Sequence, residues 1–407
     1  MTLIECFTGA HIDNIAACLR LEPEKMVMIG NAAEMEKPVK RYRKLLEKRG
    51  LSTRIYDRDV ENMDIGQISR VLQEQLEETE DCVIDLTGGD ESVIMAVGAV
   101  IAGLKSEMQR RIRVEKFDHT TGQVLDCLHQ NRQIAVKPIS LTVEELITLH
   151  GGVLSCDTDK VSTKDDRGTL EDLWTVASGD TKTWNKAVAY LREFESRADS
   201  LMQVFLPLRQ IASGIGDFET KEKIVRELLE KLRGVKVIED HSTATALEYT
   251  YRSGMLRYCL NGPGNVLEVK TFLEGWDVRE NGKSYFSDWQ TSVDIDWDGV
   301  VHTPGEKTPD TRNEIDVILM RGTVPLFISC KNGTVNEDEL YKLHTVAERF
   351  GGPYAKKMLI VTDLEKKNPE ASKALAQRAR DMGVLPVMCA AELTAKDWAE
   401  KFKEAMK

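Results

Sequence analysis

An acidic residue and a lysine on neighbouring predicted strands are the part of this sequence best suited to chemistry on a phosphate. Asp316 lies inside the apolar run EIDVILMRG (314–322), and Lys331 follows in the next run, TVPLFISCKNG (323–333), 15 residues later. The glycine at the junction of the two runs favours a tight hairpin, which would bring both side chains to one edge of a sheet. A carboxylate can hold a divalent metal ion, and an ammonium group can orient an attacking water or stabilise charge that develops on a phosphate. The two residues therefore predict a site for metal-assisted chemistry.

The elements that must position these residues are predicted from the apolar patterns on either side. Residues 262–276 (GPGNVLEVKTFLEGW) form a Gly/Pro turn that opens a helix, and Glu268 near its start offers a second carboxylate. After the hairpin, residues 335–352 have the pattern of a helix and residues 356–363 that of a strand. A further strand is predicted at 292–303, before the two runs of the hairpin. The predicted order is therefore a helix, three successive strands, a helix and a strand.

This order of elements, together with Asp316 and Lys331, resembles the PD-(D/E)xK superfamily of restriction-like nucleases over residues 255–390. The resemblance implies that Asp316 is the central metal ligand, Lys331 the motif lysine and Glu268 the carboxylate of the first core helix. It also implies a metal-dependent endonuclease that uses Mn²⁺ or Mg²⁺, which oxygen ligands suit.

The chain departs from the superfamily pattern two residues before the lysine, where members usually carry Asp or Glu and this chain has Ser329. Ser329 is kept among the candidate catalytic residues for its position. Another metal ligand is then needed, and the candidates are the backbone carbonyl of Cys330 or a carboxylate on the following helix, Glu339 ahead of Glu337. A second hypothesis stays open, in which the nuclease fold is inactive and the chain is a ligand-sensing regulator that acts on DNA through the helical region 170–250.

The N-terminal part of the chain alternates short apolar runs with longer amphipathic stretches, which predicts a doubly wound, mostly parallel α/β sheet. A hairpin at 114–128 is expected on its edge, and the helix at 92–105 is expected to be buried because it is apolar on nearly all sides. The whole chain is predicted to be α/β in three parts: a Rossmann-like domain at 1–160, a mainly helical connector at 161–254 and a restriction-endonuclease-like domain at 255–407.

Two glycine-containing loops follow predicted strands of the N-terminal sheet, FTGAH at 7–11 and DLTGGDES at 85–92. Doubly wound sheets bind ligands outside the carboxyl ends of their strands. Glycines there let backbone N–H groups approach a phosphate, and the N-terminus of the following helix adds a favourable field. The sequence contains neither GxGxxG nor GxxxxGK[ST], so NAD binding and ATP hydrolysis are disfavoured.

The combination of strand, DLTGG and helix resembles the CRISPR-associated Rossmann-fold (CARF) sensor domain. Joined to a restriction-like nuclease, it is similar to the ancillary nucleases of CRISPR antiviral defence that cyclic oligoadenylates activate. The resemblance implies a homodimer that binds cyclic tetra-adenylate across its two-fold axis and then cuts single-stranded RNA, DNA or both. The ligand pocket that it implies consists of Thr8, Gly9, Thr87, Gly88, Gly89 and, as a weaker candidate, Asn31. Many relatives carry a basic residue after the glycines, whereas this chain has Asp90 and Glu91. The ring size of the messenger therefore stays open, as does degradation of the messenger by the sensor itself.

The composition, 42% hydrophobic and 30% charged, is that of an ordinary globular protein. A net charge of −12 argues against a general nucleic-acid coat, although a local basic groove can lie on an acidic body. No apolar run approaches the roughly 18 residues of a membrane span, and the N-terminus lacks the features of a signal peptide. We therefore expect a cytoplasmic protein with no membrane contact. The eight cysteines and seven histidines form no CxxC or HxxxH pair, which disfavours a zinc site.

Overall fold

The fold is described from a computed structural model of the 407-residue chain. The described residues are 1–61, 64–129, 132–154, 166–297, 299, 312–333 and 335–407. They form two large sheets, a three-stranded sheet and a two-stranded hairpin, with helices packed on the sheets. The predicted α/β class is therefore confirmed.

The first large sheet has seven strands. Its strands are β1 (Thr2–Cys6), β2 (Lys25–Gly30), β3 (Arg54–Asp59), β4 (Cys82–Asp85), β5 (Ile112–Asp118), β6 (Gln123–Asp126) and β7 (Arg132–Ile134). The helices among them are α1 (Asp13–Leu21), α2 (Ala32–Lys48), α3 (Ile65–Glu77), α4 (Glu91–Gly103) and α5 (Ser106–Gln109). The strands lie in the order β3-β2-β1-β4-β5-β6-β7, with β1 to β5 parallel and the last two antiparallel.

The central strands of this sheet are apolar over most of their length because helices cover both faces. Strands β1 and β4 are buried at every residue. The chain runs outwards from β1 to β3 and then returns to β4 on the opposite side of β1, so the strand order reverses between β1 and β4. Ligands of doubly wound sheets bind at this reversal, outside the carboxyl ends of the strands.

The predicted hairpin at 114–128 is present as β5 and β6, which pair antiparallel from Glu115–Asp126 to Asp118–Gln123. Its place in the sheet differs from the prediction, because β7 pairs with β6 and forms the edge. The three-residue β7 is too short to show a clear alternation in the sequence.

Helix α4 is less buried than its composition predicts. One face packs in the core of the sheet, with Val93, Val97 and Val100 buried. The opposite face is exposed, and Ile94 and Met95 retain 52% and 62% of their side-chain exposure. The prediction of full burial was therefore wrong for a single chain, since one sheet can cover only one side of a helix.

The middle of the chain contains helices and a small antiparallel sheet. Its helices are α6 (Val143–Leu149), α7 (Arg167–Gly179), α8 (Thr181–Glu195), α9 (Leu208–Ile211), α10 (Phe218–Gly234) and α11 (Gly254–Tyr258), and its strands are β8 (Val153–Leu154), β9 (Gln203–Pro207), β10 (Ile238–Asp240) and β11 (Ala246–Tyr251). Strands β10, β11 and β9 form the three-stranded sheet, in that order. The region 161–254 was predicted to be mainly helical, and the structure adds the three strands β9, β10 and β11. Alternate burial along β11, at Leu247, Tyr249 and Tyr251, is the strand signal that the prediction missed.

The second large sheet carries the predicted catalytic residues. Its remaining elements are α12 (Asn265–Asp277), β14 (Asp288–Asp296), β15 (Arg312–Arg321), β16 (Val324–Lys331), α13 (Asp338–Gly351), β17 (Lys356–Val361), α14 (Leu364–Lys367), α15 (Pro369–Asp381), β18 (Val384–Val387) and α16 (Ala395–Ala405), and the short hairpin is β12 (Arg279–Glu280) and β13 (Lys283–Ser284). The strand order is β18-β17-β16-β15-β14-β8, antiparallel around β15 and parallel from β16 to β18. The elements from α12 to β17 follow one another as the sequence predicts.

Two apolar cores fill the faces of this sheet, and successive residues of β16 enter them in turn. Leu326 and Ile328 belong to the core that α12 and α16 cover, whereas Phe327 belongs to the core beneath α13. The second core continues into the first sheet and includes residues of β1 and α2. The two large sheets therefore share one continuous apolar core in this chain.

The position of β8 differs from the predicted division of the chain at residue 160. Val153 and Leu154 pair with Asp296 and Ile295 of β14, so β8 completes the second sheet. The helix before it, α6, contacts α13 and β14 as well as α2. The second sheet thus takes its edge strand, β8, from the segment that was assigned to the first domain. Ile147 of α6, shortly before β8, packs in the core that both sheets share.

Among the described residues, no helix is both long enough and apolar enough to cross a membrane.

Candidate functional site

Strands β15 and β16 bring Asp316 and Lys331 together, as the hairpin prediction requires. Gly322 lies in the connecting turn with φ of 63°, a conformation that favours glycine. The register pairs Val317 with Ile328, so Asp316 lies beside the end of β16 that carries Lys331. The ammonium nitrogen of Lys331 is 3.6 Å from Asp316 Oδ2.

Glu268 enters the same site from the first turn of α12, and its side chain is buried. Burial raises the pKa of the Glu268 carboxyl, and the nearby charge of Asp316 raises it further. Burial also raises the pKa of Asp316, although the charge of Lys331 opposes that shift. The structure therefore holds one buried carboxylate, Glu268, and one largely buried carboxylate, Asp316, whose negative charges disfavour each other.

Ser329 and Cys330 both hold Asp316 in place. The backbone N–H of Cys330 donates to Asp316 Oδ2 over 2.6 Å, and the hydroxyl of Ser329 donates to the same oxygen over 3.3 Å. The thiol of Cys330 is buried and directed to Thr271, 3.4 Å away, so a ligand role for this residue is limited to its carbonyl. Ser329 thus provides a hydrogen-bond donor to Asp316.

Glu339, the favoured substitute for the missing acid, lies on the first turn of α13 beside Lys331. Its Oε2 is 3.1 Å from the ammonium nitrogen of Lys331, and its Oε1 is 3.2 Å from that of Lys342. Two lysines therefore neutralise this carboxylate. Glu337 lies just before α13 and lines a groove beside the site instead.

Sequence reasoning missed two residues that contact Glu268. The hydroxyl of Tyr258, at the end of α11, donates to Glu268 Oε2 over 3.0 Å and also contacts the hydroxyl of Ser292 on β14. Ser292 has a φ of 51° and lies opposite Asp316 in the ladder between β14 and β15. No spacing or motif links these residues to Glu268 in the sequence, because α11, α12 and β14 meet only in the folded chain.

The charges and donors of this site fit a divalent ion that takes few protein ligands. The described residues contain no group of three or more His, Cys, Asp or Glu side chains that could enclose a metal. Such a set is needed for structural zinc, whereas Mg²⁺ keeps several waters and uses one or two carboxylates together with substrate phosphates. Glu268 and Asp316 meet the lesser requirement. Burial and then the charge of Asp316 raise the pKa of Glu268, and a cation between the two carboxylates would relieve the repulsion.

A groove of about 610 Å³ begins at the loop after Lys331. Asn185 of α8 holds this loop, because its amide donates to the carbonyl of Asn332 over 2.6 Å and accepts from the Asn332 amide over 2.8 Å. The groove is lined by apolar side chains that include Val335, Leu364 and Leu375, and by charged ones of both signs: Lys182, Lys367, Glu337 and Asp363. Lys182 forms no ion pair with any residue that the structure describes.

The two glycine loops of the first sheet meet at the reversal of strand order. A Cβ atom at Gly88 would lie 3.1 Å from Thr8 Oγ1 and from Asp13 Cβ, so glycine permits this close approach. Asn14 braces the first loop, accepting from the Thr8 N–H over 2.9 Å and donating to the Thr8 carbonyl over 2.7 Å. Gly9 is exposed, with nothing within 4 Å of the position of a Cβ. The two loops form one surface.

Thr87 and Asn31 lie at this end of the sheet, but their side chains have partners within the chain. The hydroxyl of Thr87 donates to Asp85 Oδ1 over 2.6 Å and accepts from the N–H of Phe117 over 2.9 Å. The side-chain oxygen of Asn31 accepts from two N–H groups in the first turn of α2. The polar side-chain atoms of Thr87 and Asn31 are therefore engaged in hydrogen bonds that stabilise the loops.

Gly89 and Asp90 form the entry to α4. A Cβ at Gly89 would lie 3.0 Å from Val93 Cγ1, so the entry is tightly packed. Asp90 accepts from the N–H of Val93 over 3.0 Å and caps the helix. Asp90 after the two glycines is thus explained by its role as the N-terminal cap of α4.

A buried histidine joins the glycine loops to the turn between β15 and β16. The Nε2 atom of His119 is 3.0 Å from Asp13 Oδ1, and its Nδ1 atom is 2.8 Å from the hydroxyl of Thr323 in that turn. Its ring also lies against Tyr354, with 4.3 Å between the centroids. Since Asp13 borders Gly88, contacts run from the loops to the turn of the β15–β16 hairpin, at the end opposite Asp316 and Lys331.

Comparison with solved structures supports this fold over the whole chain. Protein VC1899 from Vibrio cholerae superimposes with a TM-score of 0.72 at 15% identity, covering 100% of this chain and 97% of that one. Can2 from Sulfobacillus thermosulfidooxidans, solved in complex with cyclic tetra-adenylate, gives a TM-score of 0.66 at 16% identity with the same coverage. No family model matches the chain. No curated protein matches it in sequence either. At these identities the likeness establishes the fold.

Proposed function

We propose that this chain is a metal-dependent nuclease that cyclic tetra-adenylate switches on to cut single-stranded RNA or DNA in type III CRISPR antiviral defence. The observation that carries the proposal is the convergence of the buried Glu268 with the partly buried Asp316 and Lys331. The fold that surrounds this site extends over the full length of Can2, a protein solved with cyclic tetra-adenylate.

Each residue of the site has a distinct role in this proposal. Glu268 and Asp316 hold Mn²⁺ or Mg²⁺, which when bound would polarise the scissile phosphate and activate water. Lys331 stabilises the charge that develops on the phosphate, and Asp316 and Glu339 hold its ammonium group in place. Ser329 orients Asp316 through the hydrogen bond described above.

The messenger binds on the surface formed by the two glycine loops. This surface lies at the reversal of strand order, where backbone N–H groups and the N-terminus of α4 favour an anionic ligand. Gly9 and Gly88 leave room for the backbone to approach the phosphates. His119 and its contacts with Asp13 and Thr323 offer a route by which a change at the loops reaches the nuclease hairpin.

A second copy of the chain covers the exposed face of α4. This face consists of Ile94, Met95, Gly98, Ala99, Ala102 and Gly103, and Glu91 is exposed at its N-terminal end. Beyond Glu91 the face carries no charge, so it can meet itself across a two-fold axis. Because α4 begins directly after the second glycine loop, such a dimer brings two messenger surfaces together.

Single-stranded nucleic acid enters along the groove beside Lys331. The apolar part of the lining suits the faces of unpaired bases, and the exposed Lys182 suits a phosphate. The groove starts next to the proposed catalytic lysine, so nucleotides that flank the scissile bond would lie in it.

Cleavage of labelled single-stranded RNA and DNA by the full chain, with and without cyclic tetra-adenylate and Mn²⁺ or Mg²⁺, tests the proposal. We expect cutting only when messenger and metal are both present. No cutting in any combination, with messenger-dependent gel shifts on duplex DNA, would favour an inactive nuclease fold in a DNA-binding regulator. Conversion of the messenger to linear oligoadenylate by the Lys331→Ala variant would assign that reaction to the sensor.

Gly9→Glu is expected to weaken binding of cyclic tetra-adenylate by more than about 100-fold, since a like charge at a binding surface costs several kcal/mol. The new side chain meets no neighbouring atoms at its Cβ, so the fold tolerates it. Isothermal titration calorimetry measures the affinity, and cleavage should then need correspondingly more messenger.

Gly216→Glu is the matched control for this change. Gly216 is also exposed in a turn with nothing near the position of a Cβ, but it lies in the middle of the chain. The control should bind messenger as the unmodified protein does. If the Gly9→Glu variant binds cyclic tetra-adenylate as tightly as the unmodified protein, the first glycine loop is not part of the pocket.

A further inference from the structure

The hydroxyl group of Tyr258 occupies a place in the candidate active site that no motif predicts. It donates to Glu268 Oε2 over 3.0 Å and contacts the hydroxyl of Ser292, which itself lies 3.5 Å from the same carboxylate oxygen. The three side chains come from α11, α12 and β14. A small polar cluster thus surrounds one oxygen of Glu268.

The backbone fixes Tyr258 to the helix that carries Glu268. The carbonyl of Tyr258 accepts from the Asn265 side-chain amide over 3.1 Å and from the Asn261 N–H over 3.0 Å. Asn265 is the first residue of α12, and Glu268 follows three residues later. The corner between α11 and α12 therefore sets the distance between the phenol and the carboxylate.

The two oxygens of Glu268 have different surroundings. Oε2 accepts the hydrogen bond from Tyr258, whereas no residue that the structure describes donates to Oε1. A phenol keeps its proton at neutral pH and is therefore the donor in the bond to Oε2. A carboxylate held through one oxygen presents the other in a defined direction.

We propose that Tyr258 is a positioning residue that holds Glu268 by Oε2, so that Oε1 is presented to the divalent cation of the nuclease site. Ser292 assists, because its left-handed backbone turns its hydroxyl towards the same oxygen. The inference rests on the proposed function, since it gives Glu268 the part of a metal ligand. Removing a hydrogen-bond partner of a metal ligand typically weakens metal affinity by about 10- to 100-fold.

Mn²⁺ binding by the full-length Tyr258→Phe variant tests this role without relying on cleavage. Electron paramagnetic resonance of free Mn²⁺ should give a dissociation constant raised by about 10- to 100-fold. Cleavage should shift to higher Mn²⁺ by the same factor and recover most of its kcat at saturating metal. A purely structural role would lower activity at every metal concentration, and that result would overturn the proposal.

Tyr251→Phe is the matched control, because Tyr251 also donates its hydroxyl to a buried glutamate. Its acceptor is Glu195 on α8, 2.8 Å away. The control loses the same kind of bond elsewhere in the chain and should leave the Mn²⁺ affinity unchanged. Equal loss of affinity in both variants would contradict a specific role for Tyr258.

Ser292→Gly provides a second variant that suits its backbone, since glycine adopts a positive φ readily. It should raise the Mn²⁺ dissociation constant less than Tyr258→Phe does, because the hydrogen bond from Tyr258 remains. If the unmodified protein cuts and both variants bind Mn²⁺ as it does, the positioning role is wrong and the proposed function stands. If the unmodified protein neither binds Mn²⁺ nor cuts, the proposed function fails, and the inference fails with it.

Discussion

Lys331→Ala is expected to reduce messenger-activated cleavage by at least about 10²- to 10³-fold, the usual loss when a group that stabilises transition-state charge is removed. The lysine contacts both Asp316 and Glu339, whereas Lys342 contacts Glu339 but not Asp316. Binding of cyclic tetra-adenylate should be unchanged, because the glycine loops belong to the other large sheet. Single-turnover cleavage and calorimetric titration of the messenger measure the two effects separately.

Lys342→Ala is a close control for this variant. Lys342 contacts the same carboxylate, Glu339, over 3.2 Å, but it is largely exposed and does not contact Asp316. Its removal should change cleavage by less than about fivefold, since exposed ion pairs contribute under about 1 kcal/mol. Retained cutting by Lys331→Ala, with normal melting behaviour in both variants, would show that the active site lies elsewhere.

The contact between Asp316 and Lys331 could be predicted from the sequence because it depends on local features. Two apolar runs, a glycine at their junction and an antiparallel register suffice to bring the residues together. The same reasoning located the two glycine loops, since parallel strands direct their carboxyl ends to one edge of the sheet. Short-range pattern and elementary topology therefore account for the framework of both sites.

The contacts of Glu268 could not be predicted because they join three separate elements. Tyr258 reaches the carboxylate through the corner between α11 and α12, and Ser292 reaches it through a backbone conformation that non-glycine residues rarely adopt. The pairing of β8 with β14 is of the same kind, because a two-residue strand has no pattern of its own. Long-range packing decided these details.

The apolar pattern of helix α4 predicts burial on all sides, but contacts within one chain account for burial on only one side. The apolar residues of α4 point in all directions, which is typical of a helix that is buried all round. One chain buries only the side that faces the sheet, and Ile94 and Met95 stay exposed. The pattern is explained if the remaining side is buried by another copy of the chain, as we propose.

Met95→Glu is therefore expected to convert the dimer into monomers. The change removes an exposed apolar side chain from each copy and opposes two carboxylates across the axis. Loss of about 1.5–3 kcal/mol of apolar burial per side chain, added to like-charge repulsion, should raise the dissociation constant on the order of 10²- to 10⁴-fold. Light scattering after gel filtration measures the mass. Phe205→Glu is the control, because Phe205 is 59% exposed but lies on β9 of the three-stranded sheet.

The same variant connects assembly to activation. If the messenger lies across the two-fold axis, it binds the dimer more tightly than the monomer, and by linkage it must strengthen the dimer by the same factor. Met95→Glu should therefore bind cyclic tetra-adenylate weakly, cut poorly at ordinary messenger concentrations and partly regain its dimeric mass at saturating messenger. Tight messenger binding by a stable Met95→Glu monomer would show instead that one copy holds the complete pocket. Activation would then have to pass within a single chain, where His119 already joins the glycine loops to the hairpin of Asp316 and Lys331.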